Sequence, residues 1–364
     1  MTWAETHQKS ADLAFLAGQM RSVNRADAEG LYRQAAAYEL EALDEIPLEK
    51  HQTRAVFGLS AASLLFKGGE FERAANLSLQ LLNSPLPSDI EDQLRAVIQA
   101  VWTEEAKRKS DKKFLPGQVI VSLSGGEILV GGAPLDVIVS KVQNIQSMFI
   151  RTIEYLSELP FRSRGPAPAE VRDYCRPWLF QAAPGSYQFA VSVEAPRQSD
   201  MFKGHVEPAH VTDKFLDIVQ AATNPSESAL ERVVDREDYR EAFVKLTRTL
   251  SPTGRAYEKV RIYSYDNPKE VTLTGDSRSY TNEHVQAMLQ TTAPNSEVVH
   301  VIGTLRALDL DKDWLEIDVK GRHQRVTGLE DAIDDIIGPL VNRAVRVTCQ
   351  QAGRRLKFLD IEEA

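Results

Sequence analysis

The sequence predicts a multidomain α+β protein, and three observations carry that prediction. The chain has 364 residues, 43% of them hydrophobic, which is enough for two or three cores at roughly 100 to 150 residues per domain. Residues 1–110 show helical spacing of apolar residues and few strand signals. The remainder mixes β-branched runs with amphipathic stretches. We therefore expect a helical region at 1–110, a central α+β domain at 114–294 and a β-rich domain at 295–364.

Composition and charge narrow the possible function classes. The net charge of -9 argues against a protein devoted to polyanions, because such domains usually carry a basic face. The first residues lack a signal-peptide pattern, and no run of about 18 apolar residues occurs, so a cytoplasmic protein without membrane contact is expected. Cys175 and Cys349 have neither disulfide nor zinc spacing and are interpreted as small core residues.

The N-terminal region contains two segments with a common register. Each has a glycine, then an aromatic residue, then alanine and leucine positions that would form a buried stripe. The first segment also has Leu43 and Pro47, and the second runs GGEFERAANLSLQLL. The residues that define the register are Gly30, Tyr32, Ala35, Ala42, Gly69, Phe71, Ala74 and Leu81.

This register resembles the tetratricopeptide repeat, in which a glycine ends the first helix, an aromatic residue opens the second and a small alanine permits close packing. The resemblance implies two helical hairpins, with a helix over 89–109 as their cap. It also implies a concave face that binds a peptide or partner protein. The alternative, that the hairpins only pack on the rest of the chain or form a self-association surface, stays open.

The segment KRKSDKK at 107–113 is interpreted as a charged linker to the central domain, with nucleic-acid contact as the weaker alternative. After it, QVIVSLSGGEILVGG predicts a β-hairpin, and apolar residues at spacings of three and four predict a helix over 135–156. We further expect a strand over 187–193, helices over 211–222 and 238–250, and a strand–turn–strand–helix unit ending near residue 289.

The central domain has an aromatic stretch at 174–194 with four arginines nearby: Arg162, Arg164, Arg172 and Arg176. Such a cluster could stack a base or hold a phosphate group. The alternative is a buried aromatic core with arginines at its edge.

The last 70 residues predict a hairpin over 298–319, a helix or turn over 329–340, and the strands AVRVTCQ and LKFLDIE. Short strands with one interposed helix are typical of a small β-barrel of the OB or SH3 kind. A candidate basic patch comprises Arg343, Arg346, Arg354, Arg355 and Lys357. Either these residues bind a phosphate backbone, or they pair with the acids of 331–335 and 360–363.

Catalytic and metal signatures are weak. SGGEILVGGAP matches neither phosphate-binding glycine motif. His205 and His210 cannot form a one-face helical pair across Pro208, and Asp309, Asp311 and Asp313 lack the glycine and glutamate of a calcium loop. We therefore expect no cofactor or metal.

The leading hypothesis from the sequence is a non-enzymatic adaptor or regulatory subunit that binds another protein or itself. A nucleic-acid-associated protein that uses the C-terminal region is the second hypothesis. An enzyme with a site in the central domain is the third.

Overall fold

The structure is a computed structural model that describes residues 2–21, 24–110, 114, 118–129, 132–174, 176–180, 187–194, 210–264, 267–292, 297–329, 333–353 and 355–364. Its helices are α1 Trp3–Met20, α2 Arg25–Glu45, α3 His51–Lys67, α4 Phe71–Leu82, α5 Ser88–Lys109, α6 Leu135–Leu156, α7 Ala169–Tyr174, α8 His210–Ala222, α9 Glu227–Val233, α10 Glu237–Leu250, α11 Gly275–Thr292 and α12 Asp334–Ile337. Its strands are β1 Val119–Ser124, β2 Arg176–Phe180, β3 Tyr187–Glu194, β4 Lys259–Ser264, β5 Asn267–Leu273, β6 Val298–Asp309, β7 Trp314–Val319, β8 Arg322–Thr327, β9 Ala344–Ala352 and β10 Arg355–Glu363. Among the residues singled out above, Cys175, His205, Arg354 and the linker residues 111–113 lie outside the described part.

Helices α1 to α5 pack against one another in chain order, an arrangement compatible with a helical repeat. Thr2 begins α1 with a reciprocal capping box to Glu5, and the Asn24 side chain accepts from the first backbone amides of α2. Gly69 has φ of 78° between α3 and α4, the left-handed conformation that glycine adopts without strain. Local capping therefore sets where these helices begin and turn.

The central sheet has the order β2-β3-β1-β4-β5, and all its pairings are antiparallel. The hairpin predicted after β1 is wrong. Among the described residues a turn follows β1 at Gly125 and Gly126, both with positive φ, and the partners of β1 are β3 and β4. The β-branched run of β1 is buried on both faces, which explains why it lies in the middle of the sheet.

The two faces of the central sheet pack on different helices. Ile120 and Ala190 belong to the core of the N-terminal helices, where α5 lies against β1 and β3. Val119, Val121 and their neighbours on the opposite face pack with α6, α8 and α10. The alternation of the strands thus puts one sheet between two helical layers.

The C-terminal strands form a five-stranded sheet. Strand β6 pairs with β7 and β9, β7 with β8, and β9 with β10, all antiparallel. The sheet turns back on itself through a parallel contact of β8 with β10 that spans only Leu356↔Val326 and Lys357↔Thr327. Val345, Val347 and Cys349 alternate along β9 and are buried in the interior of the sheet, which is continuous with the core around α10.

Candidate functional site: a groove between α10, α11 and β10

A groove of about 760 Å³ lies where α10 and α11 meet the C-terminal sheet. We call it the α10–β10 groove. Its lining residues are Phe161, Ser163, Arg236, Glu237, Asp238, Glu241, Lys245, Val285, Met288, Leu289, Gly328, Ile333, Phe358 and Leu359. The groove therefore joins two regions that are more than a hundred residues apart in the chain.

The floor of the groove is apolar. Val285 and Ile333 are buried, while Met288 and Leu289 are half-buried on α11. The register of β9 with β10 shifts between Phe358 and Asp360, which makes Leu359 an extra residue in its strand. A β-bulge of this kind re-aims side chains, and both Phe358 and Leu359 line the groove.

The rim of the groove is acidic at the beginning of α10, while Lys245 lines the groove further along the same helix. Glu237, Asp238 and Glu241 lie at the beginning of the helix, where the helix dipole favours negative charge. Asp238 pairs with Arg236 at 2.7 Å. Within the described residues, Glu237 and Glu241 make no ion pair, and they lie one turn apart, so their like charges face the same opening.

The wall next to Phe161 is held by a buried ionic network. Arg151 and Glu154 of α6 are almost fully buried and pair at 3.2 Å. Arg151 also pairs with Asp335 at 2.7 Å, and Arg162 bonds to Glu154 at 2.9 Å. Burial raises the pKa of Asp334, and the neighbouring carboxylate of Asp335 raises it further. Because buried charges must be paired to be tolerated, the network fixes α12 against α6.

Aromatic side chains of α10 pack against the same wall, at Phe161. The Tyr239 hydroxyl donates to the Leu159 carbonyl at 3.3 Å, and its ring contacts Phe161 edge to face at 5.3 Å. Burial raises the pKa of Tyr239 to about 12, with the Glu154 charge adding to the effect. The side chain is neutral at physiological pH, so it acts as a packing residue with one donated hydrogen bond.

The residues of the tetratricopeptide-like register lie in the N-terminal helices, away from this groove. Tyr32, Ala35, Ala42 and Ala74 are buried, and Gly69 and Phe71 lie at the junction of α3 and α4. Gly30 lies inside α2, so no helix ends there. The close approach of α3 and α4 occurs at Gly58, where a Cβ would lie 2.6 Å from Leu81 Cδ1.

The structure does not gather the candidate basic residues into one patch. Arg343 pairs with Glu363 at 3.2 Å, and Arg346 with Glu362 at 3.5 Å. Lys357 lies opposite Gln350, four residues along β9 from Arg346, or about 13 Å at the strand rise. Arg355 is exposed at the beginning of β10.

Two of the arginines near the aromatic stretch contact the C-terminal region rather than the aromatic side chains. Arg162 belongs to the network above, and Arg164 donates to the carbonyls of Leu310 and Leu329 at 2.6 Å each. Arg172 is exposed on α7; the Arg176 side chain lies outside the described part. On the aromatic stretch itself, the Trp178 indole donates to Glu194 at 2.8 Å.

Sequence reasoning missed Arg151, Glu154 and the acidic rim of α10. The only available signal was an Arg and a Glu three residues apart within an otherwise apolar face of α6. Nothing in the local pattern indicates that these charges are buried, because Arg151 finds a partner in Asp335 of α12 and Glu154 finds one in Arg162 beyond the end of α6. Among the described residues no group of three or more His, Cys, Asp or Glu side chains could hold a metal ion.

Comparison of the chain with protein-family models, with curated proteins and with solved structures finds no match.

Proposed function

We propose that the protein is a cytoplasmic, non-enzymatic adaptor or regulatory subunit that docks a partner protein in the α10–β10 groove. The single observation that carries the proposal is a groove of about 760 Å³ with an apolar floor, whose rim has carboxylates without ion-pair partners in the described part of the chain. Exposed apolar surface rimmed by polar residues is typical of interaction sites. No helix of the described residues is long and apolar enough to cross a membrane.

The partner that fits is a short amphipathic segment with basic side chains. Its apolar residues would cover Met288, Leu289 and Leu359, and its cations would face Glu237 and Glu241. In helix-in-groove binding of this kind, the partner helix inserts apolar residues that lie about one turn apart. Charge complementarity at the rim would govern the association rate and the choice of partner.

We infer that the two ends of the chain are specialised folds that support this role. Phe71 opens α4 directly after a left-handed Gly69 and Ala74 is fully buried, which supports a tetratricopeptide-like second hairpin. The C-terminal sheet turns back on itself through the short pairing of β8 with β10, and α12 lies between β8 and β9 in the chain. This arrangement supports a partly open barrel of the OB kind.

The test is co-purification from the native host with a groove variant. The wild-type chain should retain a stoichiometric partner at physiological salt. The double variant Glu237→Lys with Glu241→Lys should lose at least about tenfold of it, because close like charges across an interface cost several kcal/mol. Glu231→Lys, an exposed position on α9, is the matched control and should retain the partner.

Recovery of the wild-type chain alone at both low and high salt would count against the adaptor proposal. A partner that the groove variant retains as well as the control does would place docking elsewhere, with the N-terminal hairpins as the next candidate. Self-association would appear as a concentration-dependent mass that the groove variant abolishes.

One observation favours nucleic-acid binding as a second candidate function. Arg325 lies over the Trp314 ring at 4.2 Å on the outer face of β7 and β8, and an aromatic ring beside a guanidinium group can stack a base. The same face carries Glu316, which pairs with His323 at 3.0 Å. The mixed charge of this face supports the adaptor proposal more than the alternative.

A further inference from the structure

A second and smaller cavity, of about 220 Å³, lies at the other end of α10. We call it the Lys141 pocket, and its polar lining includes Lys141, Asn144, Tyr257, Arg278, Arg343 and Glu363. Its volume equals roughly seven water molecules at about 30 Å³ each. That is room for one small organic anion.

Lys141 is placed in this pocket by α6, on the same side as the apolar residues that pack on α10. Only 7% of the residue is exposed. Its Nζ donates to the Thr249 carbonyl, which also accepts from Asn144 at 3.3 Å, and it lies 5.1 Å from the Tyr257 ring centre. No carboxylate pairs with it among the described residues, so its environment favours the neutral amine.

Burial and the neighbouring charges together set the pKa of Lys141. Burial is the largest cause that lowers this pKa, the Glu363 carboxylate opposes it, and the guanidinium groups of Arg278 and Arg343 act in the same direction as burial, so that the pKa is about 7. A neutral amine that donates one N–H to the Thr249 carbonyl keeps its lone pair for a second partner. Desolvated lysines beside another cation are the ones that act as amine nucleophiles.

Arg343 supplies the second half of a binding site. Only its Nη1 has a partner within the described residues, Glu363 at 3.2 Å, and a guanidinium has five N–H donors. The remaining donors fit a planar carboxylate. Arg278, by contrast, is occupied by the Arg248 carbonyl and by Glu362.

We propose that the Lys141 pocket binds a small carboxylate that carries an aldehyde or ketone carbon, and that Lys141 forms an imine with that carbon. The Nζ lone pair attacks the carbonyl carbon and a C–N bond forms. The carbonyl oxygen then leaves as water with the two amine hydrogens, and a C=N bond replaces C=O. No oxidant or reductant is needed. This role is independent of the α10–β10 groove.

The experiment traps the imine in the full wild-type chain. Pyruvate with borohydride should convert Lys141 to a carboxyethyl adduct, read out by peptide mapping, at least about tenfold above any surface lysine at pH 7.5, where an ordinary lysine is about 0.1% neutral. The adduct should fall as the pH drops below about 7. Acetone, which lacks the carboxylate and so cannot contact the Arg343 guanidinium, should label Lys141 about fivefold less than pyruvate does.

Arg343→Gln should reduce the Lys141 adduct by about fivefold or more, the loss of a charge-assisted contact, and leave the labelling of surface lysines unchanged. Equal labelling of all lysines in the wild-type chain, or no labelling of Lys141, would overturn the proposal. Neither result depends on a variant that has to fold. Equal labelling of Lys141 by acetone and pyruvate would overturn the carboxylate specificity. If Lys141 is not labelled above the surface lysines, Lys141 and Asn144 serve only to satisfy the Thr249 carbonyl at the end of α10.

Discussion

The N-terminal helices and the C-terminal sheet attach to the same central body through different chemistry. Helix α5 covers one face of the central sheet with apolar side chains, and the amides of Gln118 and Gln188 reach its backbone carbonyls at 3.3 and 3.4 Å. The C-terminal sheet shares apolar core as well, but ion pairs that are buried or partly buried join it and α12 to α6, α10 and α11.

Because the two junctions differ in chemistry, they should respond differently to mutation. An apolar junction loses stability in proportion to the area and cavity that a substitution creates. A buried ionic junction is sensitive to the loss of one partner, because the other charge remains desolvated, whereas replacement of both by apolar residues can be nearly neutral. The two junctions can therefore be told apart by single and double substitutions.

The largest expected effect is at the pair of Arg248 and Asp360. Arg248 donates two bonds to the carboxylate, at 2.7 and 2.8 Å, with both side chains buried. Asp360→Ala should lower the free energy of unfolding by about 3 to 5 kcal/mol, since it leaves a guanidinium group buried without its charge partner. Urea unfolding measured by circular dichroism would give this value.

Two controls sharpen that result. Arg248→Met with Asp360→Leu should recover most of the loss, because the buried charges are removed together. Arg346→Ala removes a half-exposed pair with Glu362 and should cost at most about 1 kcal/mol. A double variant as unstable as Asp360→Ala would contradict an ionic junction.

The second effect tests the apolar core of the N-terminal helices at Ala74, which is fully buried on α4 and belongs to the same cluster as Ile120 and Ala190 of the junction. Ala74→Asp should cost about 2 to 4 kcal/mol, because a carboxyl group without a partner must be desolvated between helices. Asn76→Asp introduces the same group two residues further along α4, at an exposed position, and should leave the stability nearly unchanged. An unchanged melting temperature for Ala74→Asp would remove the register on which the repeat interpretation rests.

The sequence predicted the parts of the molecule that depend on local pattern. The helix over 135–156 is present as α6, and the strands AVRVTCQ and LKFLDIE lie in β9 and β10. Apolar periodicity and turn residues act over a few residues, so they can be read from the chain. The predicted helix over 89–109 is present as α5, so Lys107 to Lys109, which were also assigned to the charged linker, form its last turn.

The groove and the ionic junction could not be predicted in the same way. The partners of Arg151 and Arg248 lie more than a hundred residues away, in α12 and β10, and their pairing is decided by packing of whole elements. The missed hairpin after β1 has a related cause. A β-branched run next to glycines looks the same whether its partner is the next strand or, as here, β3 and β4.

The smallest expected effect concerns nucleic acid, and it follows from how the C-terminal sheet uses its arginines. A protein that binds a phosphate backbone must offer several cations together, since each neutralised phosphate adds to affinity and to its salt dependence. Here Arg343 and Arg346 are paired with Glu363 and Glu362, which leaves Arg355 and Lys357 at the far end of β10.

We expect no binding to single-stranded or duplex nucleic acid tighter than about 10 μM at physiological salt, which is weaker than specific complexes reach. Fluorescence anisotropy with wild type and with Arg354→Glu plus Arg355→Glu would measure it, and the two should be indistinguishable. Submicromolar binding that the double variant abolishes would contradict this prediction. It would show that the basic residues at this end of the sheet form a nucleic-acid-binding surface outside the ionic junction.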